Sequence, residues 1–299
     1  MKYKYLIVIV NYKNWEDTVD CVQSLINCKV STEQILIIDN FSCNDSFNKI
    51  KSVFKNINIL TTEKNLGFTG GNNLGINYAL ENNFEYAILL NNDTIVEDSN
   101  SINLLIKNMD ENQDTTLGTG RIFYYPQKNI IWYDGGKLVY WRGLAIHYNY
   151  GKDAENLRLT NKIKEVNFIS GCFMCIRLKD IPGLGLLNEN FFLYLDDIEY
   201  SARAIKKNLK LKYFPESVIY HKANGENNRS SGMVYYSIRN RRLLIELHFS
   251  IIAKIYFEIV LIIKRSLWFL TDNKYYSILV TAINNYNAKY FGQAPENIK

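Results

Sequence analysis

The N-terminal third of the chain alternates short apolar runs with amphipathic segments, and this alternation limits the fold more than any other feature. The apolar runs cover residues 6–10, 35–38, 57–60 and 86–90. Helical periodicity lies between them, with Asn14 and Asp45 in positions typical of N-caps. A repeated strand–helix–strand order predicts an α/β fold, in which a mostly parallel sheet is joined by right-handed crossovers.

The composition predicts a folded globular protein with one large domain, or a domain and an extension. The chain has 299 residues, of which 47% are hydrophobic and 22% charged, and its net charge is +5. This mild charge permits an anionic substrate or a membrane surface without requiring either, and we expect no nucleic-acid partner. The five cysteines include Cys172 and Cys175, which are predicted to be buried strand residues of a protein from a reducing compartment.

The middle of the chain has a different character from the first third. Residues 117–150 are rich in Tyr, Trp and Gly and predict short strands or hairpins, whereas residues 152–164 predict a polar loop. Residues 166–169 and 172–176 predict buried strands, and a further helix is expected over about residues 196–207.

Residues 235–270 have a helical pattern that is unusually apolar. Its polar residues fall on one stripe, at Glu246, Ser250, Lys254, Glu258, Lys264 and Arg265. Core packing, a homodimer contact and a helix lying in a membrane interface each account for this pattern. No run reaches about 18 uncharged apolar residues, so no transmembrane span is predicted, and the N-terminal apolar run is too short for a secretory signal. We therefore expect a cytoplasmic protein, either free or peripheral on the inner face of the cell membrane.

Polar residues follow all four predicted strands, and a parallel sheet brings such strand ends to one edge. They are Asn11-Tyr12, Asp39-Asn40-Phe41-Ser42, the segment from Asn65 to Gly75, and Asn91-Asn92-Asp93. Ligands bind beyond the carboxyl ends of strands in open α/β sheets, so Asp93 is predicted at the mouth of a crevice. A carboxylate there suits a hard cation with phosphate ligands. The alternative for each segment is an ordinary turn after a strand.

The third strand leads into a glycine-rich segment, with glycines at positions 67, 70, 71 and 75. Glycine permits a positive φ and a close approach of the backbone to a ligand. A helix over residues 72–81 would point its N-terminus at the same place, which favours phosphate. The segment matches neither the dinucleotide-binding pattern nor the P-loop pattern, and a turn with an Asn cap is the alternative.

An acidic cluster, Asp196, Asp197 and Glu199, follows an aromatic run. Adjacent carboxylates repel each other, so at least one of them should have a shifted pKa or a cationic partner. An ionised Asp at a helix N-terminus suits a general base, and helix capping is the alternative. Among the three histidines, His221 has the most suggestive context, at the end of a strand-like run, and the other two are expected to be structural.

Taken together, these motifs resemble those of family 2 glycosyltransferases with the GT-A fold, in particular the bacterial rhamnosyltransferase-like branch. The matching segments are Val10-Asn11-Tyr12, Asp39 to Ser42, Asn65 to Gly75, Leu90 to Asp93, Gly171 to Met174, Phe191 to Glu199, and His221. They follow the order of the family over about residues 3–240. Three residues depart from its pattern: Asn92 stands in place of Pro, Asp196 in place of Glu, and Glu199 in place of Asp.

The resemblance implies a Rossmann-like GT-A catalytic domain over residues 1–235 and a C-terminal helical extension over residues 236–299. It implies an inverting transfer of a sugar from a nucleotide-diphosphate sugar, with dTDP or UDP as the nucleotide. The acceptor would be a hydroxyl of a growing bacterial polysaccharide or of a lipid-linked oligosaccharide. Rhamnose is the favoured sugar, and galactofuranose or a hexose is the alternative.

The resemblance also implies roles for individual residues. Asp197 matches the catalytic base, and Asp196 stays an alternative because of the departure at that position. Asp39 is expected to bind the base or ribose, and Asp93 and His221 to hold Mg²⁺ or Mn²⁺ with the diphosphate. The rest of the donor pocket is expected from Asn11, Tyr12, Asn65, Gly67, Gly70, Asn72 and Asn91.

Two other functions compete with sugar transfer. A sugar nucleotidyltransferase would need a glycine-rich basic loop directly after the first strand, where residues 11–15 contain no glycine. A non-catalytic nucleotide-sugar-binding protein would not need the intact metal-binding and catalytic residues. Acceptor choice is expected to depend on the aromatic region 123–150 and on residues 222–232.

Overall fold

The computed structural model describes residues 3–223 and 230–298. Within these ranges most strands belong to one mixed sheet, and two form a separate hairpin. The strands are β1 Tyr5–Asn11, β2 Ile35–Asp39, β3 Asn58–Thr61, β4 Tyr86–Leu90, β5 Thr94–Ile95, β6 Thr115–Tyr124, β7 Ile131–Tyr133, β8 Gly136–Val139, β9 Leu144–His147, β10 Lys164–Val166, β11 Phe173–Arg177 and β12 Lys210–His221.

The helices surround this sheet and extend beyond it at the C-terminus. They are α1 Trp15–Asn27, α2 Ser46–Val53, α3 Gly67–Glu81, α4 Ser101–Glu111, α5 Ile181–Leu184, α6 Asp196–Lys206, α7 Ser231–His248, α8 Ile251–Thr271 and α9 Asn273–Asn287. The predicted cap of α1 is confirmed, because the Asn14 side chain accepts a hydrogen bond from the amide of Asp17. Helices α4 and α9 were not predicted.

The central sheet has the strand order β10-β12-β6-β11-β4-β1-β2-β3. The last four strands run parallel to one another, β6 and β12 are also parallel, and β11 runs antiparallel between β4 and β6. Every residue of β2 and β4 is buried. Because parallel sheets of α/β proteins are covered on both faces, these strands have unbroken apolar sequences. The predicted α/β fold, with a mostly parallel sheet flanked by helices and with C-terminal helices, is confirmed.

Helix α3 begins at Gly67 rather than at residue 72, so Gly70 and Gly71, like Gly75, are helical residues. Their absent side chains allow close packing, since a Cβ on Gly75 would lie 2.2 Å from Val8 Cγ1. Glycine therefore lets α3 lie directly on β1. Within this segment Gly67 has a positive φ, of 72°.

Two predictions for the second half of the chain were wrong in their boundaries. Residues 235–270 form two helices, because Phe249 and Ser250 have extended backbone angles and separate α7 from α8. The predicted division at residue 235 therefore lies inside α7. Of the strand predicted over residues 166–169, only Val166 belongs to β10.

Helix α8 carries apolar side chains on its exposed side as well as on its buried side. Ala253, Phe257 and Leu261 pack inward. The exposed side has nine large apolar residues, each at least 52% exposed: Ile251, Ile252, Ile255, Ile259, Ile262, Ile263, Leu267, Phe269 and Leu270. Core packing therefore does not explain the apolar pattern of α8. Among the described residues no helix is long and apolar enough to cross a membrane.

Candidate active site

A buried polar network joins the ends of β1 and β2. Asn11 Nδ2 donates hydrogen bonds to Asp39 Oδ1 at 2.8 Å and to Ser42 Oγ at 3.1 Å. Ser42 also donates to Asp39 Oδ1, and Thr18 of α1 donates to Asn11 Oδ1 at 2.8 Å. These contacts fix the orientation of the Asp39 carboxylate at the carboxyl edge of the sheet.

A second network, centred on Asn40, ties the turn before α3 to the end of β2. Asn40 Nδ2 donates to Asn65 Oδ1 at 3.0 Å and to Gly67 O at 2.9 Å. Asn40 Oδ1 accepts from Leu66 N at 2.9 Å. The turn therefore has a defined shape without a ligand. Asn40, for which no role was predicted, is a part of the site.

The N-terminus of α3 is occupied by the protein itself. The amides of Phe68 and Thr69 donate to Phe192 O at 2.7 and 3.3 Å, and Gly67 N donates to Asn65 Oδ1 at 2.8 Å. The prediction of a helix N-terminus that is open to phosphate was therefore wrong. The loop before α6 lies against it, and this contact brings Phe192 into the site.

Asp93 and His221 meet because β5, which follows Asp93, pairs with the end of β12. His221 Nε2 lies 3.1 Å from Asp93 Oδ1, so the two residues form an ion pair when the imidazole is protonated. Lys222 N donates to Asp93 O at 2.8 Å, and Lys222 Nζ lies 2.7 Å from Asp17 Oδ1 of α1. The pair is thus held from both ends of the chain segment that carries His221.

The charges of this pair follow from its surroundings. Burial raises the pKa of Asp93, but His221 and the charge of Lys222 outweigh it and hold the pKa below its usual range. Burial lowers the pKa of His221, but Cys172 and Asp93 outweigh it and the net pKa is raised. Because burial also raises the pKa of the Cys172 thiol, Asp93 is the anion that faces the imidazolium at neutral pH.

The acidic pair at the start of α6 contains one partly exposed and one buried residue. Asp197 is partly exposed, and it accepts hydrogen bonds from Gly171 N at 3.1 Å and Ile198 N at 2.8 Å. Burial raises the pKa of Asp197 despite these two amides. Asp196 is buried, and burial together with the charge of Asp197 raises its pKa well above the usual range. A substrate can therefore reach Asp197 more readily than Asp196.

Glu199, the third acid of the cluster, contacts an arginine and a histidine. Its carboxylate lies 2.8 Å from Arg203 Nη2 and 2.9 Å from His248 Nε2. Burial raises the pKa of Glu199, but these contacts outweigh it and lower the pKa. The prediction that a member of this cluster has a shifted pKa or a cationic partner is confirmed. Glu199 links α6 to α7 and faces away from solvent.

Residues 171–172 connect the Asp93–His221 pair with the acidic pair of α6. The Gly171 amide donates to Asp197. Cys172 O accepts at 3.0 Å from the amide of Asn91, which follows β4. A Cβ on Gly171 would lie 3.3 Å from the Phe68 ring and 3.5 Å from Asp197 Cβ. Asp197 and Phe68 therefore pack on the same short stretch of backbone.

A cleft of about 440 Å³ lies at this edge of the sheet. The predicted site residues that line it are Tyr12, Asn65, Gly67, Asn91 and Asp93. Asn11, Asp39, Gly70, Asn72, Asp196, Asp197 and His221 are not among its lining residues. A shallower concavity of about 640 Å³ beside β9 shares no residue with this cleft and contains none of the predicted site residues.

The opposite wall of the cleft comes from residues outside the predicted donor pocket. They are Phe192, Leu193, Gly232, Tyr236, Gln293 and Ala294. The Tyr236 ring stacks on Phe192 with 5.7 Å between ring centroids, and the Tyr236 hydroxyl accepts from Ala294 N at 2.7 Å. Helix α7 and the segment after α9 therefore form part of the cleft itself.

Two buried side chains of α7 hold this wall in place. The Arg239 guanidinium donates to Gly292 O at 2.6 Å and to Phe191 O at 3.1 Å. Asn240 Nδ2 donates to Phe191 O and Leu193 O, each at 2.8 Å. Both side chains are fully buried. The loop that leads into Asp196 and Asp197 thus takes its shape from α7.

Comparison with known protein families identifies the chain. The model of "Glycosyl transferase family 2" matches residues 6–180, which is more than half of the sequence. The chain belongs to glycosyl transferase family 2. The family and the glycosyltransferase class of enzyme that the motifs predicted are confirmed, and the matched region contains β1 to β4 with the strand-end networks described above.

Individual relatives agree with this assignment. The low-salt glycan biosynthesis hexosyltransferase Agl10 of Haloferax volcanii is 26% identical over 250 residues, which is 79% of this chain and 74% of the relative. The crystal structure of GalNAc-T7 with UDP, GalNAc and Mn²⁺ has a TM-score of 0.63 at 17% identity. The match covers 82% of this chain and 48% of that protein. TarS 1–349 of S. aureus with UDP-GlcNAc has a TM-score of 0.58 at 12% identity, with coverage of 99% and 82%.

Proposed function

We propose that this family 2 glycosyltransferase moves a sugar, with inversion, from a nucleotide-diphosphate sugar in the cleft to a hydroxyl of a saccharide acceptor. One observation carries the proposal. Asp197 is partly exposed beside Phe68, a cleft residue, and residues 171–172 separate it from the Asp93–His221 pair. A general base on one side and a diphosphate site on the other is the arrangement that inverting sugar transfer needs.

The strand-end networks would bind the nucleotide. Asp39, held by Asn11 and Ser42, would accept hydrogen bonds from the base or the ribose. The donor would lie along the cleft residues Tyr12, Asn65, Gly67 and Asn91. Gly70 and Asn72 would act indirectly, since both lie within α3 and support the turn that precedes it.

A divalent cation fits beside Asp93 and His221 if the diphosphate supplies its remaining ligands and if His221 binds as the neutral imidazole, having released the proton that faces Asp93. Asp93 Oδ1 is buried, and His221 Nε2 lies 3.1 Å from it. Residues 3–223 and 230–298 contain no group of three ligating side chains, so these side chains alone do not enclose a metal. Mg²⁺ or Mn²⁺ commonly combines one or two carboxylates with phosphates and water. When bound, the cation would offset the charge of the leaving diphosphate.

Asp197 would be the catalytic base. It would accept the proton of the acceptor hydroxyl while the acceptor oxygen forms a bond to the anomeric carbon. The bond from that carbon to the diphosphate oxygen would break on the opposite face, and the diphosphate would leave with the electron pair. A single displacement of this kind inverts the anomeric configuration. Asp196 stays the alternative base, and its burial makes it the weaker candidate.

Family membership does not determine the donor sugar, the nucleotide or the acceptor, and we propose each of them. The hexosyltransferase Agl10 favours a hexose, with rhamnose and galactofuranose as alternatives. The UDP-bound neighbours favour UDP over dTDP. The acceptor would be a bacterial polysaccharide or a lipid-linked saccharide at the inner membrane face. Exposed Tyr148 and Tyr150 in the predicted acceptor region suit stacking on sugar rings. Of the predicted loop 222–232, residues 224–229 lie outside the described residues.

We also propose a functional role for residues 236–299 beside the catalytic domain over residues 1–235. Tyr236 lines the cleft, and Arg239 holds the loop before α6. These contacts favour an extension that completes the donor site over one that only tethers the protein. A homodimer through α8 is the competing use of its exposed side.

Thermal unfolding with nucleotide diphosphates tests the donor site. UDP, dTDP, GDP and CDP would each be added with Mn²⁺ and with EDTA. We expect UDP or dTDP to raise the melting temperature only with Mn²⁺, because the cation is proposed to hold the diphosphate. A ligand at about 100 times its Kd adds about 2.7 kcal/mol to the free energy of unfolding. Incubation with UDP-hexoses and dTDP-rhamnose would then test for donor hydrolysis and transfer.

The Asp93→Ala variant tests the proposed metal ligand in the same assay. We expect the Mn²⁺-dependent stabilisation to disappear, with donor affinity weakened by about tenfold or more, because a metal–phosphate contact supplies several kcal/mol. Glu63→Ala removes an exposed carboxylate from the turn before α3 and is the matched control. Stabilisation by no nucleotide would overturn the donor site. Nucleotide binding without turnover of any donor would favour the non-catalytic binding protein.

A further inference from the structure

Helix α8 and the tip of the β8–β9 hairpin form one exposed apolar surface, here named the apolar face. It consists of the nine exposed α8 residues given above together with Tyr140 and Trp141, which are 50% and 55% exposed. The Trp141 ring packs 5.0 Å from Tyr256 of α8, and the Tyr140 ring 5.8 Å from Phe249. With 21 residues, α8 is about 31 Å long. Soluble monomers rarely expose an apolar surface of this extent, so the apolar face needs a partner.

A pair of arginines lies where the hairpin tip meets α7 and α8. Arg241 Nη2 donates to Arg142 O at 2.6 Å, and the Arg241 guanidinium lies 4.5 Å from the centre of the Phe257 ring. The Nε atoms of both arginines are buried and have no hydrogen-bond partner among the described residues. Burial and repulsion from Arg142 lower the pKa of Arg241 to about 10, so Arg241 is cationic at neutral pH. Neighbouring guanidinium groups suit a phosphate group, which they bind with paired N–H donors.

The charges of α8 have the same sign as this arginine pair. Lys254 and Arg265 are exposed and lie eleven residues apart (265 − 254), which places them on the same edge of the helix. Glu258 is the one acidic residue of α8, and it lies 2.6 Å from Arg242 in an ion pair. The apolar face is therefore bordered by cations, with no acidic residue of α8 left to oppose them.

We propose that the apolar face docks this protein onto an anionic phospholipid membrane, with α8 lying in the interface and the Arg142–Arg241 pair on lipid phosphate. An apolar helix face with basic residues at its edge and aromatic residues beside it is typical of interfacial helices. Anionic lipids attract such cations. A second copy of the chain would bring the same cations and no opposing acid from α8. Charge complementarity therefore favours a lipid surface over a homodimer.

The docking surface is directly connected to the cleft. Arg241 follows Asn240, whose side chain holds the carbonyls of the loop before α6. A membrane-bound protein would thus keep one wall of the cleft close to the lipid surface, where a lipid-linked acceptor is presented. The inference rests on the peripheral location proposed above, but its test requires no donor and no sugar transfer.

Vesicle flotation tests the proposal with the full-length protein. Vesicles of phosphatidylcholine, with and without phosphatidylglycerol, would be floated with wild-type protein and two double variants. We expect flotation with the anionic vesicles, and its loss in Ile259→Glu/Ile263→Glu. In Arg142→Gln/Arg241→Gln the partition coefficient should fall by about tenfold or more, because each basic residue near an anionic surface contributes severalfold.

Matched controls separate the apolar face from general effects of charge. Val53→Glu alters an exposed apolar residue of α2, and Lys55→Gln/Arg158→Gln removes two exposed cations away from α8. Both controls should float like the wild type. Leu270→Glu, at a side chain that is 80% exposed, replaces the double glutamate variant if that variant does not fold. UDP-induced stabilisation, measured on each variant, reports separately on the donor site.

Three results would overturn the proposal: no flotation of the wild type, equal loss in the controls, or a dimer in solution that Ile259→Glu/Ile263→Glu converts to monomers. The last result would show that a second copy covers the apolar face. Flotation without any nucleotide-dependent stabilisation would count against the donor site alone. Nucleotide-dependent stabilisation without flotation would count against the docking surface alone.

Discussion

The cleft has two walls that are built from different kinds of contact. The strand-end wall comes from the segments after β1, β2, β3 and β4, where amide side chains such as Asn40 and Asn65 bind one another. The helical wall comes from the loop before α6, from α7 and from the C-terminus, and its main surfaces are the rings of Phe192 and Tyr236.

The walls also differ in what supports them. Most polar groups of the strand-end wall follow the parallel strands β1, β2 and β4, and Asn65, which follows β3, is held by Asn40. The helical wall depends on two buried side chains of α7, Asn240 and Arg239, and Arg239 joins the loop before α6 to the segment at Gly292. We therefore expect substitutions in the strand-end wall to change ligand binding, and substitutions in the helical wall to change ligand binding and stability together.

The largest expected effect is on catalysis, at the junction of the two walls. Asp197→Asn should lower the rate of transfer by about 10²- to 10⁴-fold, because it removes the general base, while donor affinity stays nearly unchanged. Initial rates and donor binding would be measured on the same preparation. Asp196→Asn is the matched control. If Asp196→Asn abolishes transfer and Asp197→Asn does not, the roles of the two residues must be exchanged.

The pH dependence of transfer would sharpen this assignment. The base must be ionised, so kcat/KM should fall by about tenfold per pH unit below the pKa of Asp197. Burial raises that pKa above the usual 3.9 for Asp. Asp196 keeps its proton over this range, so Asp196→Asn removes no charge and should leave this limb in place. A limb that moves to lower pH in this variant would mean that Asp196 is ionised beside Asp197.

Stability should respond to the same variant with a definite sign. The pKa of Asp196 is raised in the folded protein, so the folded state keeps a proton that the unfolded chain releases above about pH 3.9. The contribution of this residue to stability therefore falls as the pH rises. Asp196→Asn should be more stable than the wild type at neutral pH, and denaturant melts should show the difference disappearing in acid.

A substitution at Arg239 tests whether the helical wall depends on one residue. Arg239→Met should lower the free energy of unfolding by about 3 kcal/mol, since it leaves buried carbonyls without a charged donor, and should raise the KM for the donor severalfold. Urea melts and donor titrations would measure the two effects. Arg158→Met, at an exposed arginine, is the control. A loss of stability with an unchanged KM would break the link between this wall and the donor.

The smallest expected effect is at Tyr236. Tyr236→Phe removes the hydrogen bond from Ala294 N and should lower the free energy of unfolding by about 1 kcal/mol. The KM for the donor should rise two- to threefold, because roughly half of that energy is expected to affect donor binding. Tyr235→Phe also removes one hydrogen bond, from Asn285, but its side chain is not in the cleft. Equal KM values in the two variants would mean that the helical wall does not contact the donor.

The strand-end wall was largely predictable from the sequence. Buried parallel strands have continuous apolar sequences, and the polar residues that follow them mark their carboxyl ends. Asp93 and His221 were both assigned to strand ends, and the structure brings them to 3.1 Å. Their proposed role with a metal, like the roles of Asp39 and Asp197, stays a prediction.

The glycine-rich segment was interpreted less well. Its glycines were expected to let the backbone approach a ligand, yet Gly70 lies inside α3, and Gly75 is required there by contact with Val8. A missing side chain permits both a close ligand and a close neighbouring strand, and sequence alone does not distinguish them. The occupation of the α3 N-terminus by Phe192 O was also beyond prediction, since the two residues are far apart in the chain.

The sequence by itself determined the α/β fold, the family and the strand ends at which the polar residues gather, because these depend on local periodicity and on motifs of contiguous residues. Only the tertiary structure decided which residues form the helical wall and which side of α8 is exposed. Gln293 and Ala294 line the cleft, and Ala294 contacts Tyr236 of α7. Helix α8 has apolar residues on two sides, and one of these sides is exposed. Such choices depend on packing between segments that are distant in sequence, and no local pattern encodes them.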